Sequence, residues 1–148
     1  MTLAIRTCLA FAVLCFLVGL GLFVAAFVVS PEFAAIARPQ VLLWHGGLIA
    51  IVGMGYVLIY HATTQDITPR QAEAQELLHC PLALKRASYV SMLFGVIAFF
   101  GAIWLVESHR VERSVGESAI LGAFSILISA GVFPRLWSTL RRLRRNDG

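Results

Sequence analysis

Four long stretches of apolar residues, almost free of charged side chains, constrain this sequence more than any other feature. They cover about residues 7–29, 41–60, 87–106 and 118–137. A helix needs about 20 apolar residues to cross the roughly 30 Å of hydrocarbon in a bilayer, where exposed backbone groups find no water. We therefore predict an all-α membrane protein with four transmembrane helices in an antiparallel up-down bundle.

The composition agrees with a bilayer as the solvent. Of the 148 residues, 59% are hydrophobic and 14% are charged, and the mean hydropathy of +0.82 lies above the range of soluble domains. The net charge of +4 resides mostly in arginines beside the apolar stretches, where anionic lipid headgroups attract them. These features predict one polytopic domain and membrane lipids as partners, and they give no indication of a nucleic-acid partner.

The positive charges predict the orientation, because Lys and Arg near span ends are retained in the cytoplasm. The side that holds both termini carries most of the basic residues, and the opposite side carries Arg38, Arg110 and Arg113. We expect a bacterial inner membrane protein with both termini cytoplasmic. The basic residues on the cytoplasmic side are Arg6, Arg70, Lys85, Arg86, Arg135, Arg141, Arg142, Arg144 and Arg145.

The connections between spans have different predicted structures. Thr68, Pro69 and Gln71 supply an N-cap, a first-turn proline and a capping-box glutamine. They predict a short cytoplasmic helix over residues 72–79, between spans 2 and 3. The outer connections, around 30–40 and 107–117, are expected to be short loops, with Pro39 in the first turn of span 2 and Pro134 interrupting the end of span 4.

Small residues recur at three- and four-residue steps within each span. Lipid tails are as apolar as leucine, so membrane helices associate through close backbone approach and interhelical hydrogen bonds, which small residues permit. This pattern predicts that the helices pack tightly through these positions. The candidate packing residues are Gly19, Gly46, Gly53, Ser91, Gly95, Gly122 and Ser125.

Two histidines in span 2, His45 and His61, are candidates for binding haem. They are sixteen residues apart, which leaves their side chains about 160° apart around a helix, so they do not face one bundle interior. The alternative is that both imidazoles lie at the membrane interfaces. We therefore expect no cofactor.

A cluster on the outer side, formed by His45, Glu107, His109 and Glu112, has the ligand types that suit zinc or nickel. A solvated loop of mixed charge explains these residues better, so no metal site is expected.

Apart from the arginine after Pro134, the spans contain no Asp, Glu, Lys or Arg. Ionisable groups at membrane depth usually mark proton relays, so proton-coupled transport is disfavoured and an enzyme is not expected.

The C-terminal segment, residues 138–148, is predicted to be a basic cytoplasmic tail. Its arginines, together with the one that follows Pro134, are candidates for binding lipid headgroups, although they also serve as the ordinary retention signal of a last span. These residues are Arg135, Arg141, Arg142, Arg144 and Arg145.

These features favour a small accessory or assembly subunit that acts by helix packing with a larger membrane complex. The first alternative is an oligomeric channel or facilitator for a small uncharged or hydrophobic solute. The second is a haem-binding redox protein. The expected partner is another membrane protein or a second copy of the chain.

Overall fold

The computed structural model describes residues 1–28, 31–65, 68, 70–71 and 80–148, apart from the side chains of 31–39, 41 and 42. The described residues form four helices: α1 (Thr2–Val28), α2 (Pro31–Thr64), α3 (Leu82–Glu107) and α4 (Arg113–Asn146). Each contains a stretch long and apolar enough to cross a membrane. The predictions of an all-helical chain and of four candidate membrane spans are confirmed.

Helix α2 begins earlier than the sequence pattern predicts. Residues 31–40 are helical rather than a loop, and Pro39 lies inside the helix instead of in its first turn. Pro31 takes the first-turn position, where the missing N–H of proline has no intrahelical partner to lose. The glutamate and alanines that follow it are good helix formers, so the helix extends beyond the apolar span, Leu43–Thr64.

Helix α4 continues through Pro134 to Asn146, so the proline does not interrupt it. A proline in a helix lacks the N–H that would bind the carbonyl four residues earlier, which here belongs to Ala130. The hydroxyl of Ser88, on α3, donates a hydrogen bond to that carbonyl instead. A neighbouring helix thus replaces the missing donor, which is how membrane helices tolerate interior prolines.

Helix α4 is the centre of the structure. It packs against all three other described helices, and α1 also packs against α2, whereas α3 packs mainly against α4. Within the most apolar stretch of each helix, 56% of the residues of α4 are buried, compared with 17% for α1 and α2 and 11% for α3. Helix α3 is therefore the most peripheral of the four helices.

A hydrophobic cluster joins α1, α2 and α4 near the N-terminus of α1. Ile5 is fully buried there, and Leu136 and Leu140 of α4 pack into the same cluster. Because these leucines are C-terminal to Pro134, the last turns of α4 belong to the folded core and hold the start of α1. The buried members are Ile5, Cys8, Leu9, Ala12, Cys15, Val52, Ile59, Val132, Leu136 and Leu140.

The two remaining connections differ in how much of them is described. The predicted short helix over 72–79 lies outside the described residues; before it, Arg70 and Gln71 are helical and the Thr68 N–H donates to Gln71 Oε1 at 3.4 Å. The connection between α3 and α4 is a tight turn. His109 adopts a positive φ of 53°, and the bonds His109 N–H to Val106 O and Arg110 N–H to Leu105 O make a Schellman-type helix end.

Candidate functional site

Two helix backbones come into close contact where α1 meets α4, at Gly19 and Gly122. A Cβ placed on Gly122 would lie 2.6 Å from the Gly19 carbonyl oxygen and 2.9 Å from the Phe23 nitrogen. A Cβ placed on Gly19 would lie 2.7 Å from the Ser125 Cβ. Both backbones are in contact with almost no side chain between them, so only glycine fits at either position.

One turn away, a hydrogen-bonded pair connects the same two helices. The Ser125 hydroxyl donates to the Cys15 carbonyl at 2.7 Å and lies 2.9 Å from the Cys15 sulfur. The neighbouring Ser129 hydroxyl donates to the Ser125 carbonyl within α4. These three residues are buried, and their polar atoms are bonded inside the bundle. They stabilise the contact between helices and do not form a polar path through it.

The contact between α3 and α4 is looser. Gly95 is buried against α4, where a Cβ would meet the Leu127 Cγ at 2.8 Å, but a leucine side chain can move in a way that backbone cannot. Ser88 donates to the Ala130 carbonyl, as described above. Ser91 is half-buried and lines a cavity rather than a helix contact.

The structure does not bring Gly46 and Gly53 of α2 into a close helix contact. A Cβ on either glycine meets no described atom within 4 Å, and Gly46 is exposed. The buried face of α2 contains Val52 and Ile59 instead. Gly53 follows Val52 directly, so it is rotated by about 100° from that face.

An apolar slot lies between α1 and α3, with α4 as its floor. Its volume is about 210 Å³. Ser88 and Ser129 contribute to its wall, but their hydroxyls donate to backbone carbonyls, so the slot offers them to no ligand. The residues that line it are Ala12, Val13 and Phe16 from α1, Leu84, Ala87, Ser88 and Ser91 from α3, and Ser129, Ala130, Phe133 and Pro134 from α4.

A smaller cavity shares Ser88 and Pro134 with the slot. Its volume is about 90 Å³, and Lys85 and Arg135 line it together with Tyr89, Met92 and Gly131. Arg135 Nη1 donates to the Tyr56 hydroxyl at 3.2 Å, so one nitrogen of this guanidinium is directed toward α2. We call this cavity the basic pocket.

The basic pocket lies close to the loop that precedes α3. Burial raises the pKa of the Cys80 thiol, and the Lys85 ammonium partly offsets this rise by favouring the thiolate. Helix α3 starts after Pro81, and no side chain of the described residues caps its first turn. The first-turn N–H groups and Lys85 therefore give this corner a positive potential.

The two candidate haem ligands have different surroundings. His45 is 2% exposed, and neither of its ring nitrogens has a hydrogen-bond partner among the described residues. His61 is exposed at the other end of α2. The two rings do not share a cavity, so the structure does not bring them together as a ligand pair.

The candidate metal ligands on the outer side are also dispersed. Glu107, His109 and Glu112 are exposed around the turn between α3 and α4, whereas His45 is buried. Within the described part of the chain, no three His, Cys, Asp or Glu side chains are grouped so that they could hold a metal ion.

The arginines near the C-terminus surround the end of α4. Arg141 stacks over the Trp137 ring, 5.6 Å from its centre, and Arg144 and Arg145 are exposed. The leucines that precede these arginines, Leu136 and Leu140, are buried in the cluster that joins α4 to α1 and α2. This end of the molecule therefore combines an apolar inner face with a cationic outer surface. Arg142 is half-buried, and Arg135 lines the basic pocket.

Sequence reasoning missed the two cavities, because a gap between helices depends on which helices are neighbours. One signal for this region was available in the sequence. Pro134 leaves the Ala130 carbonyl without its helical donor, and a serine on a neighbouring helix, here Ser88, can supply one. Comparison of the chain with known protein families, with curated proteins and with solved structures finds no match.

Proposed function

We propose that the protein is a multi-pass protein of the bacterial inner membrane, with four antiparallel spans and both termini in the cytoplasm. The contact of Gly19 with Gly122 and the presence of Ile5 and Leu140 in one buried cluster support opposite directions for α1 and α4. In the same way, Ser88 with Ala130 and Gly95 with Leu127 support opposite directions for α3 and α4. The basic residues at one end of the molecule support a cytoplasmic location of the termini.

We further propose that the protein is an accessory or assembly subunit that acts by helix packing with a larger membrane complex. The observation that carries this proposal is the surface of α3 that points away from α4. Large apolar side chains follow one another there at alternating three- and four-residue steps, the spacing at which helices pack side by side. They are Val90, Leu93, Ile97, Phe100 and Trp104, each at least 58% exposed. We call this surface the outer face of α3.

The absence of chemical groups in the spans favours the same role. Apart from the arginine after Pro134, the predicted spans hold no Asp, Glu, Lys or Arg, and charged groups at membrane depth usually mark transport or catalysis. A protein that acts through packing needs none. The outer face of α3 is the docking surface for a helix of a different membrane protein.

Photo-crosslinking in native membranes tests this role. A photoreactive phenylalanine analogue at Ile97 is expected to give one crosslinked product with another protein. The matched control is the same analogue at Leu17 of α1, which is 58% exposed, compared with 64% for Ile97. Leu17 is expected to crosslink to lipid only.

Two outcomes would contradict the accessory role. Equal crosslinking at Ile97 and Leu17 would show that the outer face of α3 contacts only the surrounding lipid. A product of twice the chain's mass of 16.2 kDa would identify a second copy and favour the oligomeric channel.

The two alternatives receive less support. A channel for uncharged solutes needs free polar groups along its path, but the hydroxyls of Ser125 and Ser129 donate to carbonyls inside the bundle. Solute flux into liposomes that is blocked by Ser91→Leu would restore the channel as an alternative.

A haem protein needs two ligands that face one another, and His45 and His61 do not. A Soret band in the purified protein would restore the haem-binding alternative.

A further inference from the structure

We propose that the apolar slot and the basic pocket together form a binding site for one anionic phospholipid of the inner leaflet. One acyl chain occupies the slot, and the phosphate lies against Lys85 in the basic pocket, to which Arg135 adds a second positive charge. This lipid site is separate from the outer face of α3 and does not depend on the accessory role.

The chemistry of the slot selects hydrocarbon. Small side chains on all three of its helices, including Ala12, Ala87 and Ala130, leave a volume of about 210 Å³. The wall hydroxyls of Ser88 and Ser129 already donate to backbone carbonyls. A chain of methylene groups matches this mostly apolar lining, because it makes dispersion contacts with the walls of the slot and needs no hydrogen bond.

The basic pocket selects an anion. Lys85 and Arg135 both line it, and no carboxylate belongs to the described lining of either cavity. The first turn of α3, which no side chain of the described residues caps, adds N–H groups and the positive end of a helix dipole beside Lys85. Cationic pockets between membrane helices on the cytoplasmic side suit anionic lipid headgroups.

The two cavities are placed so that one molecule reaches both. Ser88 and Pro134 line both cavities, which puts the cavities side by side at the same end of the bundle. Leu84, in the slot, and Lys85, in the basic pocket, are consecutive residues in the first turn of α3. A phosphate held at this turn therefore lies where an acyl chain enters the slot.

Lipid binding to the purified full-length protein tests the proposal. Native mass spectrometry gives dissociation constants for dioleoyl phosphatidylglycerol and for dioleoyl phosphatidylcholine, which share their acyl chains and differ in net charge. We expect the anionic lipid to bind at least fivefold more tightly, since each basic residue near the surface contributes about that factor. Equal affinities would overturn the proposal.

Two matched pairs of variants locate the site. Lys85→Gln is expected to weaken phosphatidylglycerol binding about fivefold. Arg86→Gln removes the same charge from the next residue, which is exposed and does not line either cavity, and is expected to leave the affinity within about twofold of wild type. Ala87→Phe fills the slot and is expected to cost about tenfold, equivalent to about two methylene groups withdrawn from the protein. Val90→Phe, on the outer face of α3, is its control.

A third experiment distinguishes binding of an anionic lipid from binding of a free phosphate ion. Inorganic phosphate is expected to produce no thermal stabilisation at concentrations at which phosphatidylglycerol produces several degrees. The same shift with phosphate alone, wild-type affinity in Ala87→Phe, or equal losses in Lys85→Gln and Arg86→Gln would each overturn the proposal. None of these results depends on a protein partner, so they leave the accessory role to be decided by the crosslinking experiment.

Discussion

The contact of α4 with α1 and its contact with α3 are built on different principles. Against α1, two glycines bring the backbones together and Ser125 bonds directly to the Cys15 carbonyl. Against α3, the contact is bordered by two cavities that share Ser88 and Pro134, and it includes the Ser88 hydrogen bond to a carbonyl that Pro134 leaves without a donor. The first contact is a permanent part of the core, whereas the second leaves space for a ligand.

The difference shows that similar residues can build either a tightly packed contact between two membrane helices or a contact that leaves room for a ligand. Without a hydrophobic driving force between helices in lipid, stability comes from close packing and interhelical hydrogen bonds. The α1 contact uses both over several turns. The α3 contact concentrates its polar interaction at Ser88, next to the cavities, so the site that binds a ligand is also the site that attaches α3.

The largest expected effect comes from adding one methyl group to the α1 contact. Gly122→Ala places a Cβ 2.6 Å from the Gly19 carbonyl oxygen, where only backbone movement relieves the clash, so we expect a loss of about 3 kcal/mol in stability. Thermal unfolding in detergent measures it. Gly21→Ala is the control, because a Cβ there meets no described atom within 4 Å, and it should gain up to about 1 kcal/mol in helix propensity. Similar stabilities for the two variants would show that α1 and α4 are not in backbone contact.

The next largest effect tests the attachment of α3. Ser88→Ala removes the donor to the Ala130 carbonyl and leaves a buried acceptor unsatisfied, which costs about 2 kcal/mol. Pro134→Ala supplies a backbone N–H to the same carbonyl. In that background, Ser88→Ala is expected to cost only about 0.5 kcal/mol. The coupling energy from the four proteins is the measurement, and additive effects would refute the explanation that Ser88 compensates for the proline.

A smaller effect is expected at the hydrogen bond between α1 and α4. Ser125→Ala removes the donor to the Cys15 carbonyl, but that carbonyl remains within reach of its own helical N–H, so the cost is about 1 kcal/mol. Ser118→Ala is the control, because its hydroxyl bonds to the Ser114 carbonyl in its own helix, and it should change stability little. A larger loss for Ser118→Ala would mean that interhelical hydrogen bonds contribute little to this contact.

The features that sequence predicts best are those set by the bilayer itself. Four stretches of about 20 apolar residues leave the chain few options other than helices, because each backbone group in lipid must bond within its own segment. In α1, the small residues that recur along one face, including Cys8, Cys15 and Gly19, are the buried ones. Large lipid-facing side chains cover the rest of that helix, so the small face stands out.

The features that sequence could not predict depend on which helices become neighbours. Helix α2 has small residues on more than one face, and in lipid an apolar side chain at a helix contact is indistinguishable from one that faces lipid. The small-residue pattern therefore predicts Gly46 and not Val52 as a contact position, although of the two only Val52 is buried. The slot could not be predicted from sequence either, because it exists only where α1 and α3 both pack on α4 and leave a gap between them.

The smallest expected effect lies in the turn that carries the chain from α3 to α4. His109 has a positive φ of 53°, a conformation that costs a residue with a Cβ about 1 kcal/mol. His109→Gly removes this strain but adds entropy to the unfolded chain, so we expect a net gain of about 0.5 kcal/mol in stability, measured by thermal unfolding. His109→Ala keeps the Cβ and should give no gain, which makes it the matched control. If alanine stabilised as much as glycine, the imidazole rather than the backbone conformation would be the source of the strain, and the turn would not set the geometry with which α3 meets α4.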